Sequence, residues 1–495
     1  MLTAAILTPL AGALALVLAR TWDERTARIV AVAVTGVPLA LMVVAWVRFD
    51  IGSDELFQQV EEASWIPSLG VAWRVGVDGI SLAVASVTAV LFTAAVAYPA
   101  DTRGRARHYY AWFLFLEAVS LGLFLTLDLL VFYIFFDLSL VGMYFLIGRW
   151  GHGNNRYAAL KFFLYTLAGS LVLLLGILGI YLSTDPLTFD MATIIRTQPL
   201  AGEGMRAGLV LLALVVGLGV KTPLVPVHTW LPPAHVDAPG PASAILAGVL
   251  LKMGTYGLIR IPLAMMRDTF QTWALALAVA AVVSVVYGAL VALGQANLKA
   301  RVAYTSINHM GYTVLGIAIA GSLLSGDEGP RSLAMTGATV EMVAHGLITG
   351  ALFLVAGSFW QRSRDYDLDA YGGLAGPAPR LAALTTLAAF ASLGLPGLAG
   401  FVAEIQIFLG TFAVYPVIAG VALIGVLVTA ALFLQMLQKL FFGELPAERS
   451  SFRDLVPSEG ASLAGLLALV VVIGIYPRWL LDLVQTTSDV LVGAS

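Results

Sequence analysis

Nine side chains able to take up or release a proton lie inside runs that are otherwise apolar: Glu117, Asp128, Asp137, Lys221, Lys252, His309, Glu341, His345 and Glu404. Asp137 lies deep in LLVFYIFFDLSLVGMYFLIG, and Glu404 follows a Pro-Gly pair in SLGLPGLAGFVAEIQIFLG. Glu341 and His345 are four apart and share one helix face. Charges in an apolar slab are costly and count as functional candidates. One alone is well explained as a buried ion pair fixing helix packing. Both signs recurring across five separate runs point instead to a proton relay. Burial disfavours the charged form of each group, and an opposite charge nearby favours it. A lysine whose carboxylate neighbour alternates between charged and neutral is therefore driven to bind and release a proton. Asp128, near the start of its run, reads as a cap or interface residue, and Glu117 is intermediate.

Lys221 opens a stretch with Pro223, Pro226, Pro232, Pro233, Pro239 and Pro241. Each proline removes a backbone donor and clashes with the preceding turn, so a helix arriving there must break. At membrane depth such a break is tolerated only where the backbone is buried in protein or lines water. Lys221 beside the break and Lys252 in the next apolar run thus predict a hydrated path. His228 and His235 resemble a metal pair only superficially, because no cysteine or carboxylate cluster accompanies them. A structural or proton-carrying role at the break suits them better. The chain has no cysteine, which excludes thiolate-held clusters and disulfides within it. With no dinucleotide, phosphate-loop, haem or flavin motif either, no cofactor or metal is expected in this chain.

The elements that must position these groups follow from composition. Hydrophobic residues make up 59% and charged residues 12% of the 495, where a globular domain carries roughly 25% charged residues. Repeated apolar runs of about 20 residues make this an all-α polytopic membrane protein. A net charge of −3 implies no nucleic-acid partner. About fourteen transmembrane helices are expected, near 2–19, 28–47, 77–97, 108–126, 127–148, 159–183, 207–229, 242–266, 271–293, 302–323, 334–358, 381–413, 416–441 and 460–480. Met1–Ala19 reads as a first span and not as a signal peptide.

Odd-numbered loops then hold seventeen lysines and arginines and even loops with the tail hold eight; Lys221 and Lys252 complete the 27. That asymmetry places odd loops in the cytoplasm and both termini outside. The external loop at 50–70 is expected to form a short amphipathic hairpin or helix. The tail segment WLLDLVQTTSDVLV is expected on the interface or against a neighbouring subunit.

An internal echo divides the chain. Span seven breaks at KTPLVP beside Lys221, and span twelve breaks at LPGLAG beside Glu404. The offset of five spans is odd, which puts the two copies in opposite orientation, the layout of inverted repeats with broken helices at the site. Residues 1–107 hold helices 1–3, 108–266 a first five-helix repeat, 267–442 a second, and 443–495 helix 14 with the tail.

The stretches GLGVKTPLVPVHTWLPPAHVDAPGPASAILAGVLLKMGTYGLIR, AYTSINHMGY, EMVAHGLITGALFLVAG and LPGLAGFVAEIQIFLGTF resemble the antiporter-like proton-translocating subunits of complex I. Within them the subunit M group of bacterial NADH–quinone oxidoreductase is most alike. The likeness runs over spans four to thirteen and is most specific in spans seven and eight. It implies a fourteen-helix fold around a hydrated axis, without a redox centre, in a bacterial plasma membrane, beside other complex I membrane subunits, a neighbour's lateral helix and lipids. NADH oxidation and quinone reduction would fall to other subunits of the respiratory chain. By the same likeness Asp137 is the helix-five carboxylate paired with Lys221, Lys252 the central lysine of helix eight, and Glu404 the acid at the outlet. His309 and His345 belong to the connecting polar chain. Related chains occur in multisubunit Na+/H+ antiporters and membrane-bound hydrogenases, the alternative reading. Three departures stand out: aspartate at 137 where glutamate is usual, Pro233 in place of an acid, and a long connection between spans ten and eleven.

Overall fold

The computed structural model describes residues 1–53, 55–322 and 328–493. The chain is mostly helical, as the long apolar runs predict. In order it forms α1 (Leu2–Leu18), α2 (Glu24–Arg48), β1 (Gln58–Ile66), β2 (Val71–Val77), α3 (Gly79–Ala97), α4 (Ala106–Leu125), α5 (Leu129–Trp150) and α6 (Asn155–Tyr181). Then come α7 (Met191–Thr197), α8 (Gly204–Lys221), α9 (Leu231–Asp237), α10 (Gly240–Ile245), α11 (Leu251–Leu258), α12 (Arg267–Leu293), α13 (Leu298–Ala320) and α14 (Gly329–Ser363). The chain finishes with α15 (Pro379–Ser392), α16 (Ala399–Val414), α17 (Pro416–Phe441), α18 (Pro457–Ile475) and α19 (Arg478–Val492).

Eleven helices among the described residues are long and apolar enough to cross a membrane, counting Gly240–Leu263 as one. α1 and α16 are apolar but shorter. α13 falls outside that set while carrying Lys299, Arg301, Asn308 and His309 on a fully packed helix. α14 lies at the centre, touching α3, α10, α13, α15, α16, α18 and α19. It and the Gly240–Leu263 helix are buried throughout their apolar windows.

Polar side chains cap several of the helices. Asp128 accepts from Leu130 N–H and Val131 N–H at the start of α5, so it is the cap its position suggested. Asp78 and Ser81 form a capping box at the start of α3. The loop expected to be a hairpin or a helix is a hairpin: β1 pairs antiparallel with β2. The expected long connection between spans ten and eleven includes residues 323–327, which lie outside the described residues.

Two expectations need correction. Lys299, Arg301 and Arg260, counted as loop charges, are buried side chains on helices. Each terminates on backbone carbonyls or on an acid, which is what makes its burial affordable. The amphipathic tail is not left for a neighbouring subunit. α19 turns Leu480, Leu483, Val484 and Leu491 inward and packs on α3 and α14 of its own chain.

Candidate proton-transfer axis

Both expected breaks are present, and their freed backbone groups are satisfied. α8 ends at Lys221 and helix resumes at Leu231. Across that gap Trp230 Nε1 donates to Val220 O at 2.9 Å, Leu224 N to Gly219 O at 2.8 Å, and Val225 N to Ser284 Oγ on α12 at 3.0 Å. A broken helix can persist in an apolar interior only with such partners. The second break separates α15 from α16, and Gly394 there has φ +76°, a left-handed conformation that favours glycine.

Between these breaks the Gly240–Leu263 helix contains two π turns, Leu246–Leu250 and Ile259–Leu263. π turns inside α-helices are frequent at functional sites. Lys252 is fully buried, and its Nζ donates to Ala247 O in the first π turn at 2.7 Å. It also meets Nδ1 of His345 at 2.6 Å. Gly254 lets α11 close on α8, since a Cβ there would stand 2.4 Å from Thr222 Oγ1.

Beyond His345 further polar groups lie close by, with no direct hydrogen bond between the two histidine rings among the described residues. The His309 and His345 rings have centroids 5.5 Å apart. His309 Nδ1 lies 3.1 Å from Glu341 Oε1 and 3.8 Å from Glu404 Oε1. His309 Nε2 lies 3.1 Å from Ser392 Oγ at the end of α15. Five of the expected residues, on α11, α13, α14 and α16, thus form one buried cluster. A lysine donating to His345 Nδ1 leaves the ring proton on Nε2, and that atom has no hydrogen-bond partner among the described residues. The ring can accept on one side and release on the other, the property a relay needs.

Lys221 and Asp137 form a second group. No Asp137 oxygen comes within 4.0 Å of Lys221 Nζ in any ion pair among the described residues. Lys221 Nζ instead donates to Ser139 Oγ at 2.7 Å and lies over the Phe136 ring at 4.9 Å. The shorter aspartate therefore leaves the lysine to a hydroxyl two residues further along the same helix. One Asp137 oxygen is buried without a hydrogen-bond partner.

The remaining candidates stand apart. Glu117 is fully buried, and neither carboxylate oxygen has a hydrogen-bond partner among the described residues. His228 meets Tyr287 edge-on at 5.0 Å, whereas His235 stacks on Phe353 at 4.4 Å with both ring nitrogens unpartnered. Sequence reasoning passed over Ser139 and Ser392, which touch the axis, and Lys299, whose Nζ donates to Ala238 O at 2.5 Å. Ser139 had a signal, standing two residues from Asp137. The other two had none. At the loop end near Lys299, His152 stacks on Trp360 at 3.9 Å. Burial, with the positive charge of Lys299 adding to it, lowers its pKa to about 3.

Fold and axis together define a polytopic membrane protein with lysines, histidines and carboxylates threaded between two broken helices. The family model described as "NADH:quinone oxidoreductase/Mrp antiporter, TM" matches residues 126–432. The "NAD(P)H-quinone oxidoreductase chain 4 1" of Picosynechococcus sp. is 38% identical over 99% of this chain and 90% of its own length. The protein of the same description from Nostoc sp. is 37% identical over 96% of this chain and 88% of its own. Among solved structures, a chain of "Respiratory complex I from Thermus thermophilus with bound NADH" superposes with TM-score 0.87 at 29% identity, over 99% of this chain and 100% of that one. A chain of the Mrp complex from Dietzia sp. shares the fold, with TM-score 0.86 at 23% identity over 100% of this chain and 98% of that one. The chain belongs to the NADH:quinone oxidoreductase/Mrp antiporter transmembrane family.

Proposed function

We propose that this chain is a proton-translocating membrane subunit of respiratory NADH–quinone oxidoreductase, complex I. The observation that carries this reading is the buried contact series Lys252–His345–His309–Glu341/Glu404. A proton taken up from the cytoplasm reaches Lys252, passes to His345 Nδ1 as Nε2–H is released toward His309, and leaves by way of Glu404. Asp137 and Lys221 act as the switchable pair that couples the chain to its neighbours. With Lys221 on Ser139, that pair is in its parted arrangement. NADH oxidation and quinone reduction take place in other subunits, and this chain carries no redox centre.

The architecture that goes with this function is fourteen spans in the bacterial plasma membrane, both termini outside. Residues 108–266 and 267–442 form inverted five-helix repeats, each broken beside a titratable residue. With the buried Lys299, Arg301 and Arg260 set aside, fifteen basic residues in odd loops against seven in even loops and the tail support that orientation.

The assembled complex in proteoliposomes tests the assignment. Lys252→Ala is expected to abolish most proton pumping with assembly intact, and normal pumping in that variant overturns the relay. Purification without flavin and iron–sulfur subunits would instead favour a cation/proton antiporter assembly.

A further inference from the structure

Lys252, Tyr256 and Arg260 are four apart and share a helix face. The Lys252 end has been described; the other end holds a second buried charge. Arg260 Nη2 lies 2.6 Å from Asp78 Oδ2, with side-chain exposures of 1% and 3%. Arg260 Nε donates to the Tyr256 hydroxyl at 3.2 Å, and that hydroxyl donates to Phe124 O at 3.0 Å. The Phe57 ring covers the guanidinium at 5.0 Å. Phe57 also lines an 850 Å³ polar pocket between the hairpin and α7, with Arg74, Asp190, Arg196 and Arg267 on its walls. The pair thus lies behind the Phe57 wall of that pocket, at the far end of the helix that carries Lys252.

Stability alone does not account for it, because well-packed apolar residues serve as well as a buried ion pair or better. Its position suggests another use. α11 is eight residues long and bracketed by the two π turns, each of which holds one residue more than an α-turn. Such a segment can shift as a unit by passing the extra residue along. Arg260 sits inside the second π turn, and Asp78 is fixed by its capping box at the start of α3.

We propose that Asp78 and Arg260 form a latch on the external side, holding the α11 segment and thereby positioning Lys252. Closed, it keeps Lys252 Nζ on His345 and shuts the external pocket off from the axis. Released, it lets the segment shift and opens the axis to that pocket. The inference rests on the relay reading above but names residues outside the relay.

The test is passive proton leak through the assembled complex in proteoliposomes, under an imposed pH gradient with the oxidoreductase inhibited, beside pumping in turnover. Asp78→Asn, which keeps an acceptor for Ser81 N–H, and Arg260→Met are each expected to raise the leak roughly tenfold or more, because a lone buried partner no longer holds the segment. Arg260→Lys keeps the charge and is expected to bring the leak back toward that of the unaltered complex. A packing role alone would lower thermal stability and leave the leak unmoved, and that result overturns the latch. Should the charge-removing variants fail to assemble, Tyr256→Phe removes the hydroxyl that Arg260 Nε engages; a raised leak supports the latch and an unchanged one overturns it. Lys252→Ala separates the two readings. Pumping lost with Lys252→Ala, but leak unchanged in the latch variants, overturns the latch alone. Pumping intact with Lys252→Ala overturns the relay beneath it.

Discussion

Lys252 Nζ and His345 Nδ1 lie 2.6 Å apart, with both side chains buried. Both residues can carry the proton, and the ring's second nitrogen has no partner to hold it. His345→Gln retains a hydrogen-bonding group but cannot pass a proton through a ring. It is expected to lower pumping by roughly a hundredfold or more, the low side of what a removed proton-transfer group costs. Proton-to-electron ratios in proteoliposomes check this; an unchanged ratio removes His345 from the relay.

Lys221 is held by Ser139, not by Asp137. Ser139→Ala leaves a buried ammonium without that acceptor, a loss of about 1.5–3 kcal/mol for a bond to a charged group. Asp137→Glu adds one methylene toward the lysine and is expected to be tolerated, whereas Lys221→Ala removes most pumping. Quinone-linked pumping of the three variants ranks them. A severe loss with Asp137→Glu would mean that the site is tuned to the shorter acid.

Glu404 closes the axis beside the second break. Glu404→Ala is expected to abolish most pumping with assembly intact. Gly394→Ala tests the same place from the backbone: its Cβ would stand 2.5 Å from Glu404 Oε2, at a residue with φ +76°. The left-handed backbone alone costs roughly 1–2 kcal/mol for a residue with a side chain. Displacement of the carboxylate should therefore reduce pumping in Gly394→Ala, and full activity would show that Glu404 need not sit where it does.

His152 lies in the loop between α5 and α6, and its pKa is lowered to about 3, chiefly by burial. The folded state keeps the ring neutral while the unfolded chain protonates it near pH 6.5. Stability is therefore undiminished above that value and declines as pH falls from about 6.5 toward about 3. His152→Phe keeps a ring on Trp360 and removes the titration. Thermal melts between pH 7 and pH 5 should show a shallower decline for the variant than for the parent; parallel declines would refute the assignment.

Asp128 makes the opposite prediction to the axis residues. It accepts from Leu130 N–H, Val131 N–H and Ala72 N–H. Asp128→Ala strands those donors and should cost about 2 kcal/mol or more in stability. Pumping per assembled complex should hold. A pumping defect at full stability would give Asp128 a part in transfer.

The fold was legible because its signals are long and physical. Apolar runs fixed where helices lie, and prolines and the Pro-Gly pair fixed where two of them stop. The buried titratable residues of the axis announced themselves as charges without solvent. Arg260 and Lys299 did not, because each stands at the end of an apolar run, where a basic residue ordinarily reaches water. Only packing reveals that β2 and α3 bring Asp78 to the first, and that the chain before α10 turns Ala238 O toward the second. Nor can spacing reveal that Ser139 displaces Asp137 at Lys221, since that depends on a side-chain length and a helix rotation together. What covers the tail's apolar face was hidden for a related reason: an apolar stripe states that it will be covered, not by whom.

The length of α14 has a further consequence. Its 35 residues extend about 52 Å at roughly 1.5 Å per residue, against a hydrocarbon layer of about 30 Å. One end is tied to α19 through Ser332 and Asp489, the other to α18 through Arg362 and Glu459 at 2.6 Å, and Glu341 and His345 ride between. A stiff rod anchored at both mouths moves as a whole, so a push at either surface arrives at mid-depth as displacement before any ion has travelled. In the relay proposed above, such a displacement and the proton path would meet at the same pair of side chains.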